Sequence, residues 1–115
     1  MTKRSLPREV KISVKASLDK KSEKLVVMDL RGISSFTDYF IITHGNSPRQ
    51  NLAIHESIEE KLKGEGIRPL SVEGKEHAEW ILMDYGSFII HVFSKRAREY
   101  YSLEKFWGDA SKISY

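Results

Sequence analysis

The chain has 115 residues, of which 40% are apolar and 30% charged, with a net charge of +3; this suits one soluble domain around one core and is too short for two. It has no cysteine, which excludes disulfides and thiolate chemistry, and no apolar run approaches the roughly 20 residues of a membrane span. The basic residues are interleaved with acidic ones, and their densest point after the N-terminus, around Lys95, Arg96 and Arg98, reads as solvated surface rather than a phosphate footprint.

Residues 1–5 and 108–115 are expected to fray, leaving a single domain between them. The N-terminus lacks the apolar segment of a secretory signal, so a reducing cytoplasm is expected. From Leu6 to Leu18 two periods compete. Leu6, Val10, Val14 and Leu18 recur every four residues as a helix stripe, whereas Val10, Ile12, Val14, Ala16 and Leu18 alternate as in a strand. Pro7 suits a first helical turn, and helix is the expectation. Leu25 to Leu30 is a β-branched run and should form a buried strand. Gly32 to Asp38 is a polar loop, and Tyr39 to His44 a second strand stopped by Gly45. Ser47-Pro48-Arg49-Gln50 is a capping box: a serine cap, proline at the first helical position, glutamine three residues on. Ile54, Ile58 and Leu62 follow on one helical face, and Gly64 and Gly66 end the helix. Arg68 to Val72 is expected as a third strand.

Two further strands form a hairpin across Trp80 to Phe93, turning at Gly86-Ser87 or at Tyr85-Gly86. Either turn gives the same two faces. Ile81, Met83, Tyr85, Phe88, Ile90 and Val92 make one face, apolar apart from a single hydroxyl, that belongs in the core. Trp80, Leu82, Asp84, Ile89, His91 and Phe93 make the other. Asp84 and His91 among large apolar groups require an explanation. Either a helix of the chain covers them and supplies partners, or the face is a protein-binding patch with a tryptophan anchor. A helix with an aromatic stripe from about Lys95 to Trp107 completes the order α-β-β-α-β-β-β-α: an α/β (α+β) fold in which a mixed five-stranded sheet packs with helices.

The polar residues suggest little chemistry. His44, His55, His77 and His91 lack metal-site spacing. Ser34, Ser35 and Ser47 lack a nucleophile elbow. Asp29 and Asp38 at strand ends could hold Mg²⁺ for phosphoryl transfer, and Gly45-Asn46-Ser47 could seat a phosphate at a helix N-terminus. No strand is followed by a glycine-rich loop with a phosphate-gripping lysine, so both aspartates are better read as bonding backbone donors in the loop Arg31 to Thr37. Neither a cofactor nor a metal is expected, and a Mg-dependent nucleotidyltransferase-like enzyme using Asp29 and Asp38 is the alternative.

One combination of stretches carries a family resemblance. Asp38-Tyr39-Phe40, Gly45-Asn46-Ser47, Glu73-Gly74, Trp80 through Gly86, His91-Val92-Phe93 and Arg98 through Trp107 resemble, in order and spacing, the ribosomal silencing factor family, also called the Iojap or YbeB-like family. The resemblance runs from about Leu6 to Trp107. It implies a non-enzymatic regulator that binds the large ribosomal subunit through ribosomal protein fourteen. The bound factor would block the small subunit sterically and repress translation when nutrients are scarce, with a role in large-subunit biogenesis besides. It implies a fold like a nucleotidyltransferase without its active site, admits rRNA contact and a homodimer, and involves no membrane. Combined with the face pattern, it points to Trp80, Leu82, Asp84, Ile89 and His91 as contacts, with Arg98 and Tyr101 at the rim and the Trp80 ring largely accessible.

Overall fold

The computed structural model describes residues 6–115; the expectation for residues 1–5 lies outside them. Four helices and six strands follow in the order α1 (Arg8–Asp19), β1 (Glu23–Asp29), β2 (Tyr39–Gly45), α2 (Pro48–Gly64), β3 (Ser71–Glu73), β4 (Trp80–Asp84), β5 (Phe88–Ser94), α3 (Lys95–Tyr101), α4 (Leu103–Phe106) and β6 (Ser111–Ser114). The strands form one sheet in the order β3-β4-β5-β2-β1-β6. Only β2 and β5 pair in parallel; every other neighbour is antiparallel. Parallel neighbours need a long crossover, and α2, β3 and β4 supply it.

One sheet face is the main core. Ile81, Met83, Ile90 and Val92 of the hairpin join Leu25, Val27 and Ile41 beneath Val10 and Val14 of α1 and Ile54, Ile58 and Leu62 of α2. The hairpin face expected to be apolar is therefore the buried one. The α1 stripe departs from expectation at its end: Leu18 is exposed, while Ser13, Ala16 and Ser17 are buried. Small residues let α2 come close, and Ser57 Oγ donates to the Ala16 carbonyl at 3.0 Å. The hydroxyls buried with them are satisfied, Ser13 by the Glu9 carbonyl and Ser17 by Ser22, as burial demands.

The second face carries its own apolar cluster of Val26, Met28, Leu30, Phe40, Ile42, Ile89 and Phe93. It is covered by Ala97, Leu103, Trp107 and Ala110 from the C-terminal segment.

Four expectations are corrected. The C-terminal helix is not continuous: Ser102 adopts a left-handed conformation (φ +48°) between α3 and α4. The break lets Glu104 fold back onto Arg98, which positions six apart on one helix could not do. The sheet has six strands rather than five, and the segment 108–115 does not fray. Ser111–Ser114 pairs antiparallel with Val26–Asp29, and Tyr115 N donates to Leu25 O at 2.9 Å. Nothing in that polar stretch announces a strand; the open ladder edge of β1 supplies its partners. The third strand is also shorter and later than expected, spanning Ser71–Glu73. At the hairpin, Tyr85 N donates to Phe88 O at 3.0 Å, so Gly86-Ser87 forms the loop, with Gly86 at φ +88°.

The serine cap is in place. Ser47 Oγ accepts from Gln50 N at 3.1 Å, and the Gln50 side chain reaches back to Asn46 N and to the Lys20 and Lys21 carbonyls. Ser47→Ala is expected to cost about 0.5–2 kcal/mol, read as a lower midpoint in urea with an unchanged slope. Gly74 is under a stricter constraint. It sits at φ +89°, and a Cβ there would overlap the Trp80 carbonyl. Gly74→Ala should cost about 2 kcal/mol or more in backbone strain and displacement, and the same denaturation series measures it.

Candidate protein-docking face

Side-chain alternation puts Trp80, Leu82 and Asp84 of β4 on the second sheet face. Pairing sets Trp80 beside Phe93, Leu82 beside His91 and Asp84 beside Ile89. The β2 register continues these rows with His44, Ile42 and Phe40. Helix α3 lies over β5 and β2, Leu103 and Trp107 pack on the same cluster, and the β4 end is left less covered. Phe93 is fully buried, whereas Trp80 and Leu82 are half-buried.

Aromatic rings run across this face as a connected series. Tyr101 packs on Trp80 with ring centroids 4.6 Å apart, and Trp80 lies 5.9 Å from His91. His91 meets Phe40 edge to face at 4.4 Å, and Phe40 and Phe36 both approach Trp107 at 6.1 Å. Such pairs favour offset and edge contacts and add to simple burial. The middle of the series is buried and the ends are open: Phe36 is 57%, Phe106 77% and Tyr100 80% exposed. Exposed aromatics around a half-buried tryptophan are the composition of an interface centre.

The residues singled out from sequence divide by their placement. Trp80, Leu82 and Tyr101 lie at the open end. Trp80 is less accessible than expected, because Tyr101 of α3 packs on it. Ile89 and His91 form the floor beneath, nearly inaccessible. Asp84 turns to its own hairpin, its Oδ1 accepting from Gly86 N at 2.8 Å. Arg98 is buried rather than at the rim. Its Nε and Nη2 donate to the two Glu104 carboxylate oxygens at 3.0 and 2.9 Å, and its Nη1 to Glu23 O and His44 Nδ1. Phe36, Phe106 and Trp107 join the face without having been anticipated as contacts. A phenylalanine inside the largely polar loop Gly32 to Asp38 was the available signal for the first.

Burial governs the titratable groups. The Trp80 indole N–H donates to His91 Nδ1 at 3.1 Å, which fixes the neutral tautomer with its proton on Nε2; Nε2 itself has no hydrogen-bond partner. Burial pushes His91 down to about 3. Burial and then the neighbouring Arg98 cation lower His44, while the Arg98 hydrogen bonds hold the Glu104 carboxyl below its usual range. Away from this face, Asp29 accepts from Arg31 N at 3.0 Å and forms an ion pair with the Arg31 guanidinium, which includes the loop backbone bond expected of it. Asp38 is engaged through its main chain, N to Ser87 O and O from Leu30 N. Among the described residues no group of three His, Asp or Glu side chains is placed to hold a metal, and no helix is long and apolar enough to cross a membrane.

Fold and face thus define an α+β domain with a six-stranded mixed sheet, closed by helices on one side and half open along an aromatic row on the other. A family model described as "Ribosomal silencing factor during starvation" matches residues 3–115. The chain belongs to the ribosomal silencing factor family. It is 45% identical over 101 residues to a protein of Bacillus subtilis (strain 168) named ribosomal silencing factor RsfS, covering 88% of this chain and 86% of that one. A crystal structure of a Chromobacterium violaceum protein superposes with a TM-score of 0.85 at 33% identity, covering 87% of this chain and 83% of the other. A mouse protein named mitochondrial assembly of ribosomal large subunit protein 1 is 36% identical over 75 residues, covering 63% of this chain and 33% of its own length.

The buried histidine makes a pH prediction. A folded pKa below the ordinary 6.5 means that the unfolded chain takes up the proton first. The neutral histidine's contribution is therefore complete above pH 6.5 and is lost as pH falls from there toward about 3. At pH 5 this amounts to roughly 2 kcal/mol for His91. Thermal unfolding should show a fall in Tm between pH 7 and pH 5, and His91→Gln, which can still accept from Trp80, should fall less.

Proposed function

We propose that the half-open aromatic face docks on the large ribosomal subunit through ribosomal protein fourteen, and that the bound protein sterically blocks the small subunit and so represses translation. The single observation that carries this is the connected aromatic row from Tyr101 and Trp80 to Trp107 and Phe36, buried at its centre and exposed at its ends. Family membership supplies the ribosome as the setting, and the name of the mouse relative points to the large subunit. Contact is assigned to Trp80, Leu82, Tyr101 and Phe36, over a floor of Ile89 and His91; Asp84 and Arg98 act through the fold. The protein works in the cytoplasm, has no catalytic role, and acts in large-subunit biogenesis through the same docking. Neither rRNA contact nor a homodimer is needed for the block.

Sedimentation with isolated large subunits, isolated small subunits and whole ribosomes tests the proposal. Co-sedimentation with the large subunit alone is expected, together with inhibition of subunit joining. Phe36→Ala, at an exposed ring, should shift stability by no more than about 0.5 kcal/mol and weaken binding about tenfold. Trp80→Ala should cost about 2 kcal/mol of folding stability, since only part of the ring is buried. At temperatures where it stays folded, it should lose a further 2–4 kcal/mol of binding, roughly 30- to 900-fold in affinity. Full binding by both variants would remove this face from the function. Nucleotide turnover with Mg²⁺ that vanishes in Asp29→Ala and Asp38→Ala would replace the docking protein with an enzyme.

A further inference from the structure

A cavity of about 360 Å³ opens where β1 begins and β2 ends, walled on its other side by α3 and α4. Every residue that lines it carries a charged or polar group, unlike the aromatic row. At its base the buried Arg98 commits four of its five N–H groups, two to Glu104, one to His44 and one to Glu23 O, leaving one Nη2 hydrogen without an assigned acceptor. Around it stand Lys24, Lys95 and Lys105, none within ion-pair distance of a carboxylate among the described residues. Glu104 is neutralised by Arg98, so three lysines face only Glu23 and Glu99.

The backbone is shaped around the same place. Successive residues of a regular strand point to opposite faces, yet Glu23 and Lys24 both line this cavity. The β1–β2 register shifts there and Lys24 stands at φ +47°, so a bulge re-aims the side chain. Ser102, also lining the cavity, is at φ +48°. Two of the four non-glycine residues with positive φ among those described therefore meet at one cleft, and strained backbone of this kind collects at binding sites.

We propose that this cavity binds a compact phosphorylated metabolite, its phosphate held by Lys24, Lys95 and Lys105 and its hydroxyl groups donating to Glu99. Volume and lining set the class. The space lies at the lower end for small-molecule sites, and no benzene or indole ring offers a platform for a base. A concave cleft containing carboxylates also differs from the continuous basic stripe that a nucleic-acid backbone requires. This inference does not rest on the docking face.

The test titrates the full chain with inorganic pyrophosphate and with ribose 5-phosphate, followed by amide chemical shifts and calorimetry. Saturable shifts confined to residues 23–24, 44 and 95–105 are expected. Lys24→Gly, which suits the left-handed backbone, and Lys105→Ala should each weaken binding about tenfold without lowering the Tm. Lys11→Ala, on α1 across the sheet, should leave binding unchanged. The proposal is overturned by no saturation at millimolar concentration, by equal shifts at every exposed lysine (an adventitious ion only), or by a duplex RNA that takes the same lysines at lower concentration.

Discussion

The parallel pairing of β2 with β5 is the constraint on which the rest of the molecule depends. The two strands run in register for seven residues, from Tyr39 beside Phe88 to Gly45 beside Ser94, and every residue of β2 is buried. This seam joins two antiparallel units, β3-β4-β5 and β2-β1-β6. Because the strands end side by side, the helices that follow them start side by side. Each is opened by a serine accepting a backbone N–H, Ser47 for α2 and Ser94 for α3, at 3.1 Å in both cases. From there α2 contributes to the core on one face and α3 to the cluster on the other. A slip of one residue along the seam would exchange the faces of one whole unit, joining Trp80 and His91 to the wrong core.

The second face is organised by a charge inside the fold. Arg98 is buried and bound by a carboxylate fork, an imidazole nitrogen and a main-chain carbonyl. Buried ion pairs are weak contributors to stability, because desolvation offsets their attraction, but they can select one arrangement over others. Here the arrangement is the break at Ser102, which returns Glu104 to Arg98 and turns α4 away from the line of α3. With α3 held over β5 and β2, the β4 end stays only partly covered, and Tyr101 rests against Trp80 without enclosing it. The charge network and the aromatic row are thus two consequences of one local fold.

His91 belongs to the same logic. A histidine on a sheet face among phenylalanines has to stay neutral, and the indole N–H of Trp80 gives its Nδ1 a partner. The bond also limits where the Trp80 ring can go. A tryptophan fixed in this way loses less rotamer freedom when a partner covers it, which favours binding through preorganisation. On the proposed docking, its half-buried state holds an anchor ready.

Much of this was legible in the linear sequence, where neighbouring residues decide the outcome. The Ser47-Pro48-Gln50 cap, the apolar stripe of α2, the two hairpin faces with their turn at Gly86, and the family stretches from Asp38 to Trp107 all follow from local spacing. So did the placement of Trp80 and His91 on one sheet face. Tertiary structure alone decided the rest, since each remaining feature depends on residues far apart in the chain. Ser111–Ser114 is a strand only because β1 presents an open edge. Arg98 reads as a rim residue until His44 and the Glu23 carbonyl, both far away in the chain, are seen to bind it in the interior. Phe36 and Trp107 enter the aromatic row from a loop and from the end of a helix, separated by some seventy positions. Periodicity reports which face a residue takes; whether that face is covered, and by what, is fixed only when distant segments compete to pack against it.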